Sequence, residues 1–104
     1  MLVLPIKKKW FDMIKSGEKK EEYREIKPYW EIRFKNNLDN PIISLEGYLF
    51  HAKGNVIFKN GYSKDSPKIK CNIELHQGFG NIEWGADPHK LYYVLKILSV
   101  EEVN

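Results

Sequence analysis

The sequence predicts an α+β fold: a small mixed β-barrel of about five or six strands, with one or two helices near the N-terminus. Three observations lead there. Ile6, Trp10, Met13 and Ile14 fall at i, i+4, i+7 and i+8, one apolar stripe of an amphipathic helix. Further on the period changes to two, with Ile69, Cys71, Ile73 and Leu75 alternating with Lys68, Lys70, Asn72, Glu74 and His76. The gaps between these later strands are too short for crossover helices, which argues against a parallel α/β sheet. At 104 residues, 42% of them apolar and 13% aromatic, the chain is expected to be one domain over residues 1–104 with a single modest core.

Taken in order, Met1 to Leu4 is a short apolar strand, ended by Pro5, which can open a helix. The helix that follows carries the Ile6 to Ile14 stripe, with Gly17 as its C-terminal cap and with Trp10 and Ile14 in the core. Lys7, Lys8 and Lys9 occupy its first turn, where the positive end of the helix dipole disfavours cations by a few tenths of a kcal/mol each. They form either a solvated basic patch or, with the free backbone N–H groups, an attractor for phosphate. Lys20 to Arg24 is a charged strand, and Lys27, before Pro28, is biased to extended geometry. Pro28 starts a second helix to about Lys35, with Trp30 and Phe34 on a core face. On another face Tyr29 and Arg33 stack at i, i+4, as the wall of a cleft or as an exposed cation–π pair.

Asn36 to Pro41 is a loop by composition, and Ile42 to His51 a strand with Gly47 as a bulge. Gly54-Asn55 turns the chain into Val56 to Phe58. Asn60 to Pro67 is turn-rich and holds Tyr62, an aromatic without an obvious core partner. Gln77 to Lys90, after the alternating strand, is a loop ordered by packing of Trp84. Tyr92 to Val100 is apolar on both parities apart from Lys96 and Ser99, as a central strand covered on both faces would be.

The stretch around which the chemistry gathers is Gly17-Glu18-Lys19-Lys20-Glu21-Glu22-Tyr23-Arg24, with six charges in eight residues. In a strand, Lys20, Glu22 and Arg24 share one face while Glu21 and Tyr23 share the other. A carboxylate and a guanidinium two positions apart lie roughly 7 Å from each other along a strand, close enough to act on one ligand. The face is a floor for a polar ligand, or a charge network that closes one end of a barrel.

The spaced motif Gly17, Lys19, Glu22 and Arg24, after an amphipathic helix near the N-terminus, resembles the ASCH domain family of the PUA-like superfamily. The later series Glu22 to Trp30, Phe58 to Tyr62, Pro67 and Glu83-Trp84-Gly85-Ala86, with a closing Tyr-rich strand, is similar to the small stand-alone ASCH proteins of bacteria and their phages. This resemblance implies a PUA-type barrel with a cleft beside the helices that bears the charged motif. It also implies either RNA binding or hydrolysis, since some members are amidohydrolases acting on a modified cytidine and others ribonucleases. In the amidohydrolase pattern the motif lysine works with a threonine three positions later and a glutamate further on. Lys19 matches the lysine, Glu22 stands at the threonine position, and Glu74 is a candidate second carboxylate.

Charge and composition narrow the partners. The net charge is +3, and ten of the seventeen basic residues lie in the first third, from Lys7 to Lys35. A polyanion should therefore meet the N-terminal third. The expected function is an RNA- or nucleotide-binding module built on Lys19, Glu22 and Arg24, with Lys27, Tyr29, Arg33, Tyr62 and Trp84 as further contacts. The alternative is a hydrolase on RNA or a modified nucleoside that uses Lys19 and Glu22 as catalytic residues. His51, His76 and His89 are scattered and Cys71 is the only cysteine, so no metal and no other cofactor is expected. The lone cysteine fits a reducing cytoplasm, and no apolar run or signal peptide suggests a membrane span or export.

Overall fold

The computed structural model describes residues 1–103. Its first strand, β1 (Leu2–Pro5), buries Leu2 and Leu4 and keeps Pro5 within the strand. An edge position tolerates the proline, because the missing N–H costs no ladder bond there. Helix α1 (Lys8–Ser16) then buries Phe11 and Ile14. Gly17, at φ 86, ends it in the left-handed conformation and donates its N–H to the Ile14 carbonyl, as the glycine predicts. Ile6 precedes the helix and is buried, whereas Phe11, outside the predicted stripe, replaces Trp10 as a core residue.

Strand β2 (Glu21–Glu25) begins one residue later than expected, and α2 (Pro28–Asn37) runs two residues beyond Lys35 and buries Phe34. The middle of the chain departs most from expectation. The predicted loop over Asn36 to Pro41 is the end of α2 followed by β3 (Asp39–Ile43). The predicted single strand from Ile42 to His51 is instead the end of β3, a turn, and the start of β4 (Leu49–Lys59). Gly47 is that turn's glycine, at φ 91, and donates its N–H to the Ser44 carbonyl. Gly54 is not in a turn but inside β4, opposite Ile73. A side chain at Gly54 would press on Leu38 and Asp39, so glycine serves close approach there rather than chain reversal.

Strand β5 (Lys68–Phe79) follows its alternating pattern, with Ile69, Cys71, Ile73 and Leu75 fully buried. The predicted Gln77 to Lys90 loop is shortened by the end of β5 and contains one 3-10 turn, Ile82–Trp84. The final strand, β6 (Leu91–Val103), buries Tyr92, Tyr93, Val94 and Leu95 in succession, so both of its faces are covered there.

The six strands form one curled, half-closed sheet in the order β1-β4-β5-β6-β2, with β3 on the other half of the β4 edge. Only the β1–β4 pair is parallel; the rest are antiparallel, which makes the sheet mixed. The main core lies between the sheet and the two helices and includes Leu4, Phe11, Ile14, Phe34, Phe58 and Leu95. A smaller cluster of Tyr23, Ala86, Tyr92 and Val94, with Trp84 against it, occupies the other face of β2 and β6 under the Gly80–Lys90 segment. The α+β half-barrel with two N-terminal helices thus agrees with the predicted fold class. Among the described residues no helix is long and apolar enough to cross a membrane.

Candidate binding cleft

The charged strand belongs to the wall of a cleft because of how α1 ends. Gly17 reverses the chain, Lys19 N–H returns to the Met13 carbonyl, and the Lys19 side chain is turned inward. Its ammonium donates to the Trp84 carbonyl, lies 3.1 Å from Glu22 Oε1, and sits 4.8 Å and 4.9 Å from the ring centres of Trp10 and Tyr23. A lysine buried in this way needs partners on every side, and this one has a carboxylate, a carbonyl and two π faces. Burial holds the Lys19 pKa below its usual value, although Glu22 acts in the opposite direction.

Glu22 and Arg24 share the inner face of β2, opposite Leu95 and Tyr93 of β6, as alternation predicts, whereas Lys20, expected on the same face, precedes the strand and is exposed. Arg24 Nη1 donates to Glu22 Oε2 at 2.7 Å and to the Tyr23 carbonyl at 2.8 Å. Its Nη2 reaches the Pro5 carbonyl at 3.0 Å, and Trp30 lies under the guanidinium at 5.2 Å. Side-chain exposures are 0% for Lys19, 7% for Glu22 and 12% for Arg24, so this is a largely interior network that reaches an opening at Glu22 and Arg24. Among the described residues no hydrogen bond engages Arg24 Nε, and no fully buried side-chain nitrogen or oxygen lacks a partner, so Nε is not fully buried.

That opening is a cleft of about 280 Å³. Pro5, Ile6 and Lys7 form one rim, Trp10 of α1 and Trp30 of α2 form walls, and Glu22, Tyr23 and Arg24 form the floor. Trp84 and Gly85 close the remaining side. All three tryptophans of the chain converge here, each half-buried. The last wall is fixed by hydrogen bonds: Asn81 N–H donates to the Tyr23 hydroxyl at 2.8 Å, that hydroxyl donates to Glu21 Oε1 at 2.8 Å, and Asp87 N–H donates to the Tyr92 hydroxyl at 2.9 Å. Burial raises the Tyr23 pKa well above its ordinary value and keeps the hydroxyl protonated for this relay.

The expected site residues divide into three groups. Glu22, Arg24 and Trp84 meet in the cleft, and Lys19 stands behind its floor, touching their atoms without lining the opening. Lys27, Tyr29 and Arg33 are outside it: Lys27 pairs with Glu25 at 3.5 Å on the surface, and the Arg33 guanidinium lies 3.4 Å from the Tyr29 ring centre, with Tyr29 edge-on to Trp30 behind the cleft wall. Tyr62 lines a second cavity, next to the first. Glu74 faces Lys53 and Lys96 across its strand neighbours and does not line the cleft. Trp10, assigned to the core from its spacing, is a cleft wall, and Trp30 is both, stacked on Phe34 against the main core and lining the cleft. What the sequence offers for them is slight: each tryptophan has a charged residue as chain neighbour, in Lys9-Trp10, Trp30-Glu31 and Glu83-Trp84.

Two cations against one carboxylate leave the interior positive, and Lys7 adds a further charge at the rim. Indole walls and a positive floor suit a flat, electron-rich ring carrying an acidic group. Among the described residues no three His, Cys, Asp or Glu side chains cluster as metal ligands. No protein-family model, no curated protein and no solved structure matches this chain.

Proposed function

We propose that this protein is an ASCH-type, PUA-like domain that binds a single unpaired base or nucleotide of RNA in the three-tryptophan cleft. The observation that carries the reading is the convergence of Trp10, Trp30 and Trp84 on one opening floored by Glu22 and Arg24. A base inserted there stacks on indole, worth about 1–3 kcal/mol per stacked base. The free Nε–H of Arg24 and the Lys7 ammonium offer donors to a base edge or a phosphate. One stacked base and one or two polar contacts correspond to a Kd of about 1 mM to tens of µM, which suits a module that reads one position of a longer strand. The Lys19 network serves by holding Glu22 and the Trp84 backbone in place.

The hydrolase reading has one observation in its favour, a lysine of lowered pKa beside a carboxylate. Against it, the Lys19 side chain is 0% exposed and is fully engaged by Glu22 and Trp84. From the tryptophan cleft, which Lys19 does not line, a substrate does not reach its ammonium without displacing Glu22 or Trp84.

Tryptophan fluorescence during titration with nucleoside monophosphates and short single-stranded RNA and DNA tests the proposal, with the mixtures analysed for products. Saturable quenching is expected, weakened about 5- to 150-fold by Trp30→Leu, the worth of one stacked base. The absence of saturable quenching by any nucleotide or oligonucleotide up to 10 mM would overturn the proposal. Product formation lost in Lys19→Gln would replace it with the hydrolase.

A further inference from the structure

The rim formed by Pro5, Ile6 and Lys7 is shared. On its far side lies a second cavity of about 310 Å³, completed by Asn60, Gly61 and Tyr62. From these adjoining cavities we infer that the protein holds two consecutive nucleotides of a single strand, the second stacked on Tyr62 and the linking phosphate set beside Lys7. This inference rests on the reading of the first cleft as a base site.

Four observations support it. Tyr62 is 91% exposed, with no aromatic or cation–π partner among the described residues, and a flat ligand would bury it. Lys7 lines both cavities, and its ammonium has no ion pair or hydrogen bond among the described residues. Its neighbours differ: Lys8 pairs with Asp12 at 2.6 Å and Lys9 lies over Trp10 at 4.7 Å. Lys7 is thus the rim cation left free for a ligand common to the two cavities.

The third observation is that the rim is tied by hydrogen bonds to the end of β4 and the residue after it. Ile6 N–H donates to the Lys59 carbonyl at 2.9 Å, and Asn60 Nδ2 donates to the Ile6 carbonyl at 3.1 Å. The shared rim is thus anchored on both of its backbone polar groups at Ile6. The same bond leaves Asn60 Oδ1 without a partner among the described residues, an acceptor available to a base amine. The fourth is size: each cavity lies near the bottom of the range of roughly 300–1,000 Å³ usual for ligand sites, and together they fall well inside it.

The experiment compares nucleoside monophosphates with the matching RNA dinucleotides on wild type, Tyr62→Ala and Lys7→Gln, read by tryptophan fluorescence. The dinucleotide is expected to bind wild type about 5- to 150-fold more tightly than the monophosphate, the gain from one more stacked base. Tyr62→Ala should erase that gain and leave monophosphate affinity unchanged; Tyr62 is outside the core, so the fold is kept. Lys7→Gln should lower the slope of log K against log salt for the dinucleotide by about 0.7, one phosphate contact. Equal affinity for the two ligands, or a dinucleotide gain untouched by Tyr62→Ala, would overturn the two-nucleotide site while leaving the tryptophan cleft standing. Failure of both ligands to quench would overturn both.

Discussion

At the scale of single residues, the central fact is that Lys19 and Glu22 are charged and buried together. The pair is not a source of net stability by default, because two desolvated ions recover only what their mutual attraction and hydrogen bonds return. Removing one partner is a different matter. Lys19→Met leaves Glu22 paired with Arg24 but takes the donor from the Trp84 carbonyl, and is expected to destabilise the protein by about 1–3 kcal/mol. Glu22→Leu should cost more, about 3–5 kcal/mol, because it strands both Lys19 and Arg24. The double variant Lys19→Met/Glu22→Leu is expected to cost less than the sum of the single changes. Urea denaturation of the four proteins checks this. Single-variant effects below 1 kcal/mol, or strict additivity, would mean that water reaches the pair and that the network is not interior.

At the scale of elements, the Gly80–Lys90 segment turns a sheet edge into a cleft. Gly85 makes this geometry available, with φ 100 and its Cα hydrogen side facing the Trp10 indole. A Cβ there would come within 3.0 Å of Trp10 Cζ2, in a backbone region that side chains avoid. Gly85→Ala is expected to cost about 1–3 kcal/mol and to shift the tryptophan emission, because the indole must move. Thermal melts and emission spectra decide it; an unchanged spectrum would show that the wall is not in contact with Trp10. The same element marks the limit of what the sequence reveals. Helix α1 and strand β5 were legible because one periodicity and one stop signal each sufficed, Gly17 for the helix and the Ile69 to Leu75 alternation for the strand. The β3–β4 region was not, because Gly47 and Gly54 look alike in sequence, yet one turns a hairpin and the other admits Leu38 and Asp39 against a strand. Tertiary approach decides which, and local pattern does not contain it. The charged floor of the cleft was legible from alternation along β2. Its tryptophan walls were not, since a half-buried Trp10 or Trp30 has the spacing of a core residue and only the packing of neighbouring elements brings both to one opening.

At the scale of the molecule, the sheet is a barrel left incomplete, with β1 at one end of the strand order and β2 at the other. Among the described residues no ladder joins these ends. Arg24 does, donating from Nη1 to Glu22 and the Tyr23 carbonyl and from Nη2 to the Pro5 carbonyl at the end of β1. The charge network expected to close a barrel end and the floor expected to receive a ligand are thus one group of atoms seen from two sides. Closure requires a planar fork, and a lysine at this position would keep the charge toward Glu22 but could not span both strands. Arg24→Lys is therefore expected to lose about 2–3 kcal/mol, since hydrogen bonds from a charged donor contribute about 1.5–3 kcal/mol each and part is retained. The loss should be local in its consequences. Hydrogen exchange is expected to accelerate in Leu2–Pro5 and Glu21–Glu25 while the β4–β5 pairing keeps its protection, because the latter strands have neighbours on both sides. Acceleration spread evenly over all strands would show that Arg24 supports the core as a whole and does not act as a clasp. If the clasp is local, a ligand anion that draws Arg24 away from Pro5 loosens the seam as it binds, and the same exchange measurement with bound nucleotide would show faster exchange at β1 than in the free protein.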